Sequence, residues 1–353
     1  MSGKKTKAAR AKKQKKQSKN KLDKKRKTGL FIVSLLIIAI VGILTYNLTN
    51  KSQNTKPNKH HKANISNNTS IISCKRSPLF PKRHGLNPPY AIDLRQGTEF
   101  RGLRIIEAKR NGKTLQLPGW DSYGFLGLYT LDDKGNIYTA PMPYVSININ
   151  PPNEQNRILK VDSGTGEMYV FMQLPSETPP NAKNPFGVIG LEFDCETKSL
   201  YATSVAGSTY KNESGKIFQI NPSTKAIKDT YKNLDVMGIT IFHGKTGKRI
   251  YIGLARKPEI YSIGLNENGG FKDDLRYEFS LENVPGGSNV KAHRMLIKDN
   301  IMTLKTREFS YSLISASVSM RIIYKFKYNP ANDKWEFLEL QSDNPNAHLN
   351  NNL

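Results

Sequence analysis

The sequence predicts an all-β body of repeated four-stranded antiparallel sheets, preceded by one apolar helix that crosses a membrane. Three observations predict it. An uncharged run of 18 residues, 29–46, separates a basic start from the rest of the chain. Beyond residue 120, four segments share one layout: strand, polar turn, strand, loop, strand, polar turn, strand. Their starts, Asp121, Asn184, Asp235 and Asn289, lie 63, 51 and 54 residues apart.

The apolar run comes first in the chain's logic. As a helix, 18 residues reach roughly 27 Å, close to the hydrocarbon thickness of a bilayer. Residues 1–28 hold 14 Lys/Arg and one acid, Asp23. A basic block directly before an apolar span stays on the cytoplasmic side. The expected topology is therefore N-terminus inside, body outside. The stretch ILTYNLTN after the span offers no small-x-small cleavage site and no lipid-accepting cysteine. An uncleaved signal anchor follows, with the bilayer as partner of 29–46 and anionic headgroups as partner of the basic tail. The Asn- and Lys-rich composition places it in a bacterial inner membrane.

The net charge of +25 is distributed unevenly. Residues 47–87 add eight Lys/Arg and no acid, whereas residues 88–353 carry 32 Lys/Arg against 28 Asp/Glu. The body is nearly balanced, and the basic tail has no aromatic residue to stack on bases, so no nucleic-acid partner is expected. The expected organisation is a cytoplasmic tail (1–28), the anchor (29–46), a flexible linker (47–87), the β body (88–343) and a C-terminal tail (344–353). The linker is rich in Asn, Ser, Lys and Pro. Two cysteines, Cys74 and Cys195, are too few for a disulfide scaffold. They are either a single bond outside the cytoplasm or two unrelated thiols.

The repeats give the body its architecture. Their turns, such as Asp-Asp-Lys-Gly and His-Gly-Lys-Thr-Gly, have the Gly/Asn/Asp chemistry of hairpins. Their strands are rich in Ile, Val, Tyr and Phe, and no helical period competes. Four strands about every 50 residues are the signature of a β-propeller blade. RGLRIIEAKRNGKTLQL, from Arg101, adds a partial unit, and residues 90–94 add a strand. The C-terminal SDNPNAHLNNNL has no hairpin to complete that unit. A ring of five or six blades fits.

GLEFDCETKSLYATSV, GKIFQINPSTKAI and ITIFHGKTGKRIYIGLA resemble blades of the gluconolactonase–regucalcin and strictosidine synthase-like β-propellers. The resemblance covers residues 121–341. It implies a propeller whose tunnel holds a divalent metal, with lactone or ester hydrolysis in some members and binding roles in others. In the metal enzymes, Asn or Asp directly precedes the Gly that opens the innermost strand. Here Leu126, Ile189 and Met237 stand there, and none is an oxygen donor.

A second ring is visible in the repeats. Asp121, Asn184, Asp235 and Asn289 occupy equivalent places near one mouth of the tunnel, a donor set suited to Ca²⁺. The competing reading is turn chemistry, since Asn and Asp satisfy local backbone groups. His293 and Arg294 enter the fourth repeat where the others carry apolar residues, as a base and an anion binder. Tyr123, Phe125, Phe186 and Met237 line an apolar pocket or pack between blades. No Gly-x-Ser-x-Gly, His-Glu-x-x-His or phosphate loop is present, which removes several enzyme classes. The expected function is binding of a protein or small-molecule partner at the propeller mouth. The alternatives are a Ca²⁺-dependent hydrolase and an envelope scaffold.

Overall fold

The computed structural model describes residues 74–94, 100–143, 149–313 and 321–343. The basic tail, the apolar span, residues 47–73 of the linker and the C-terminal tail lie outside them. No helix among the described residues is long and apolar enough to cross a membrane.

Five antiparallel sheets form the blades of a β-propeller. Blade 1 has three strands, β1 (Tyr90–Asp93), β2 (Arg104–Glu107) and β3 (Thr114–Leu115). Blade 2 runs β4 (Leu126–Leu131), β5 (Ile137–Pro141), β6 (Arg157–Val161), β7 (Met168–Gln173). Blade 3 runs β8 (Val188–Asp194), β9 (Ser199–Ser204), β10 (Lys216–Ile220), β11 (Ile227–Lys232). Blade 4 runs β12 (Val236–Gly244), β13 (Gly247–Leu254), β14 (Glu259–Gly264), β15 (Arg276–Ser280). Blade 5 runs β16 (Lys291–Lys298), β17 (Ile301–Arg307), β18 (Arg321–Asn329), β19 (Lys334–Asp343). In blades 2 to 5 the strands pair in chain order, so each blade is a meander of hairpins. The first strands β4, β8, β12 and β16 pack on one another in turn and are innermost.

The turns explain why the sequence repeats. At three of the polar turns an Asp or Asn accepts backbone N–H groups two and three residues ahead. Asp162 takes Gly164 and Thr165, Asp194 takes Glu196 and Thr197, and Asn221 takes Ser223 and Thr224. These side chains satisfy donors that the hairpin leaves open. The same turn-bearing end is bolted by ion pairs between neighbouring blades. Lys198 meets Asp133 at 2.9 Å, Lys248 meets Asp194 at 2.5 Å, and Arg276 meets Asp333 at 2.6 Å.

Each of the four interfaces from blade 1 to blade 5 has its own apolar cluster. Leu103, Ile105, Leu126 and Ile137 join blades 1 and 2. Tyr138, Phe171, Leu191 and Phe218 join blades 2 and 3. Tyr201, Ile239 and Ile263 join blades 3 and 4, and Tyr251, Leu304, Tyr324 and Trp335 join blades 4 and 5.

Residues 74–87, read from sequence as the end of a flexible linker, are built into the propeller. Cys74 is disulfide-bonded to Cys195, with the Cα atoms 5.5 Å apart. Lys75 pairs with Glu192 at 2.6 Å. A short helix, α1 (Phe80–Arg83), follows, and the backbone N–H groups of Leu79 and Phe80 donate to Ser163 O. Phe80 is fully buried, edge-on to Trp120 at 5.7 Å, and the Trp120 indole donates to Gly166 O. The composition of this stretch is polar, but one phenylalanine and one cysteine commit it to the fold.

Glu107 fixes the start of blade 1. It pairs with the Lys109 ammonium at 2.8 Å and accepts backbone N–H groups from Asn87 at 2.8 Å and Lys113 at 3.1 Å. The Lys109 hydrogen bond first, and these two N–H groups next, pull its carboxyl down to about 2. A carboxyl depressed in the folded state stabilises it above the unfolded pKa, and that contribution disappears as pH falls through the folded value. We therefore expect native protein to lose stability between pH about 4.5 and about 2, and Glu107→Gln to lose less over that window. Thermal midpoints across the window test this, and parallel losses in the two proteins would refute it.

Candidate functional site

The strand polarity divides the propeller into two ends. One carries the polar turns described above. The other carries the entries to the inner strands and the loops that follow the second strands, and this end is the mouth.

All four inner strands begin with a bulge. The register shifts between Leu126 and Leu128, Val188 and Gly190, Val236 and Ile239, and Ala292 and Arg294. A bulge leaves a residue outside the ladder and re-aims it. The residues so released are Gly127, Ile189, Met237 with Gly238, and His293. Close approach requires the glycine at 238, where a Cβ would stand 2.9 Å from Ala292 O. Gly127, Ile189 and His293 line one axial recess together with Phe186, Met142 and Arg307. Its interior has room for about one water molecule. Arg294 spans the ring beside it, donating to Gly127 O at 2.9 Å.

The mouth is filled by the loop after β17. Phe309, Tyr311 and Leu313 pack on Phe186, Ile189 and Met237. The rings of Phe309 and Phe186 meet edge-on at 5.0 Å, and Phe309 meets Tyr311 at 5.2 Å. Tyr210 caps this layer edge-on to Tyr311 at 5.5 Å, with its own side 67% exposed. The Tyr210 hydroxyl is hydrogen-bonded to Ser310, and the bonds with Ser310 and then Ser312 pull its pKa down.

One carboxylate ties the layer down. Asp235 is fully buried and accepts from the Tyr311 hydroxyl, the Ser208 hydroxyl, Gly215 N at 2.9 Å and Arg256 Nε at 3.0 Å. Arg256 also donates to Thr209 O at 2.6 Å and Asn212 O at 2.7 Å, and lies 5.3 Å over the Tyr311 ring. Burial first, and the bond to Asp235 next, push the Tyr311 hydroxyl far above the usual tyrosine range, so it stays a donor. Three loops from blades 3, 4 and 5 thus converge on Asp235.

The residues singled out by sequence fall into different places. Asn184 is buried, and its amide donates to Val205 O at 2.9 Å and Ser208 O at 2.8 Å. With Asp235 it grips the Ser208 loop from a second side. Asp121 and Asn289 are exposed. The oxygens of Asp235 are occupied by four protein donors and that of Asn184 by Phe186 N at 3.1 Å. This donor set does not fit a hard cation, and among the described residues no group of three or more His, Cys, Asp or Glu is placed to hold one. Phe186 and His293 line the recess, with Arg294 adjacent. Tyr123 is elsewhere, donating to Met168 O at 2.9 Å. Phe125 is buried, its N–H on Asn150 Oδ1. Sequence reasoning missed Ser208, Tyr210, Arg256 and Tyr311. The available signal was an aromatic residue in each of two mouth loops, GSTY and FSYS.

No family model matches the chain, and no curated protein matches it. Among solved structures, a glucose dehydrogenase is 11% identical, covering 65% of this chain and 76% of its own, with a TM-score of 0.38. A luciferin-regenerating enzyme is 11% identical, covering 64% and 70%, with a TM-score of 0.39. A streptogramin B lyase is 11% identical, covering 69% and 77%, with a TM-score of 0.33. At these values the propeller assignment rests on the sheets themselves, and the neighbours carry nothing about activity.

Proposed function

We propose that this chain is a membrane-anchored docking module whose propeller, held outside the cytoplasm of a bacterium, binds a protein partner at its mouth. The observation that carries the reading is the mouth itself. Among the described residues, Phe309, Tyr311 and Leu313 fill its axis, and the recess beside them has room for about one water. Above the filling, Tyr210 is held out with Arg256 and Ser310 beside it. Tyr and Arg on a rigid support are the residues that anchor protein interfaces, because they offer large contact area at small entropic cost. The apolar run 29–46 behind its basic block supports the anchor and its orientation. The Cys74–Cys195 bond supports placement in an oxidising compartment.

Site-specific photo-crosslinking in the native host tests the reading. A photoreactive residue at position 210 is expected to give a discrete adduct in the membrane fraction. The same residue at Lys134, exposed on a turn at the opposite end, is expected to give none. Equal labelling from both positions, or recovery of the protein in the soluble fraction, would overturn it. A C-terminal reporter active only in the cytoplasm would overturn the orientation.

A further inference from the structure

The seam between blades 5 and 1 differs from the other four. Clusters of apolar side chains join blades 1 to 2, 2 to 3, 3 to 4 and 4 to 5. Among the described residues none joins blade 5 to blade 1. The two faces of blade 5 show the consequence. The cross-strand register puts Met295, Leu304 and Tyr324 in one row facing blade 4, all buried. The next row, on the opposite face, is Leu296, Thr303, Lys325 and Glu339. Leu296 is 60% exposed although it lies on the innermost strand. In β8, by contrast, every residue but Glu192 is buried.

The chemistry of this open face is strongly biased. The residues on it include the cations Arg294, Lys298, Lys305, Lys325 and Lys327 and the acids Glu336 and Glu339. Lys325 is paired with Glu339 at 2.5 Å, and Arg294 donates to Gly127 O. Lys298, Lys305 and Lys327 are exposed, and among the described residues no carboxylate pairs with them. Leu296, Ile301 and Ile323 are set between these cations on the same face.

We propose that this face of blade 5 docks an acidic polypeptide segment, with Lys298, Lys305 and Lys327 meeting its carboxylates and Leu296 its apolar side chains. A second copy of the chain is disfavoured, because two such faces would bring like charges together. A flat sheet with apolar residues set among cations suits an extended segment that mixes Glu and Leu. Lys298 and Lys327 lie toward the turn-bearing end of the sheet, whereas Lys305 pairs across the strands with Arg294 beside the recess.

The test uses the full chain and a fluorescein-labelled acidic peptide rich in Glu and Leu. The basic tail is expected to attract such a peptide too, so affinity is combined with location. Carbodiimide coupling of peptide carboxylates to lysines, read by mass spectrometry, is expected to mark Lys298, Lys305 and Lys327. The variant K298E/K305E/K327E is expected to lose those adducts and weaken the salt-sensitive fluorescence-anisotropy response about tenfold. Leu296→Ser is expected to weaken it severalfold with its adducts retained. Adducts confined to tail or linker lysines, or unchanged affinity in the charge-reversed variant, would overturn the proposal. Phosphatidylglycerol vesicles form the control arm. If the reversal abolishes vesicle binding and spares the peptide, the face meets a membrane instead, and the proposal falls.

Discussion

Replacing Asp235 by alanine is expected to destabilise the propeller by about 3–5 kcal/mol. The carboxylate is fully buried and has four donors, one of them the Arg256 guanidinium. Removing it leaves Arg256 without its counter-charge in a partly buried place, and leaves the Ser208 and Tyr311 hydroxyls without acceptors. Each orphaned neutral donor costs about 1–3 kcal/mol when buried. Arg256 can turn toward water and Glu213, 3.7 Å from its Nε, which limits the total to that range. For a domain of this size the melting temperature should fall on the order of 10 °C. Asp235→Asn keeps the volume and one acceptor, so it should lose less. The mouth should respond before the blades, because Tyr311 and Tyr210 are held through this group. Tyrosine fluorescence should therefore become more accessible to a soluble quencher in Asp235→Ala below the melting transition. A loss under 1 kcal/mol, or unchanged quenching, would show that Asp235 does not hold the mouth layer. The adduct expected from position 210 should disappear in the same variant.

Opening the Cys74–Cys195 bond should lower stability by about 2–4 kcal/mol. The bond closes a loop with a sequence separation of 121, which contains blades 1 and 2 entire. In the chain-entropy view, a cross-link over so long a loop removes much freedom from the unfolded chain. The strap is held by other contacts too, including the Phe80–Trp120 packing and the Lys75–Glu192 pair. The native fold should therefore persist when the bond is reduced, with a lower guanidinium midpoint. Cys195→Ser and the double variant lacking both sulfurs should match the reduced protein. Coincident midpoints for oxidised and reduced protein would refute the expectation.

The repeat was legible because it is written in local chemistry. Asp162, Asp194 and Asn221 announce their turns, and alternating Ile, Val, Tyr and Phe announce the strands between them. The three strands of blade 1 were partly visible too, as residues 90–94 and the unit from Arg101. The blade count was not, because closure depends on how sheets pack and not on how any one sheet is encoded. The fate of residues 74–87 was hidden for a related reason. Polar composition describes the average of a segment, whereas Phe80 and Cys74 alone decide where it goes.

The candidate site was legible in part. Equivalent positions in the repeats pointed to the mouth, and Phe186, His293 and Asp235 are there. Their roles were not legible. Asp235 reads as a metal ligand when only its spacing is known. Its partners Ser208, Arg256 and Tyr311 come from three different loops, 27, 21 and 76 residues away, and no local pattern links them. The bulges that release Ile189 and His293 toward the axis are a matter of strand register, which a single strand does not state.

The sequence by itself determined an all-β repeat, its strand and turn positions, and the separation of a basic tail and apolar run from a nearly neutral body. It could do so because turns, alternation and charge runs act over a few residues. Only the tertiary structure decided that the mouth is filled, that Asp235 binds protein donors, that the strap is covalently held, and that among the described residues no apolar cluster joins blade 5 to blade 1. Each of those depends on side chains brought together from distant parts of the chain, where burial and donor geometry, not residue type, set what a carboxylate or lysine does.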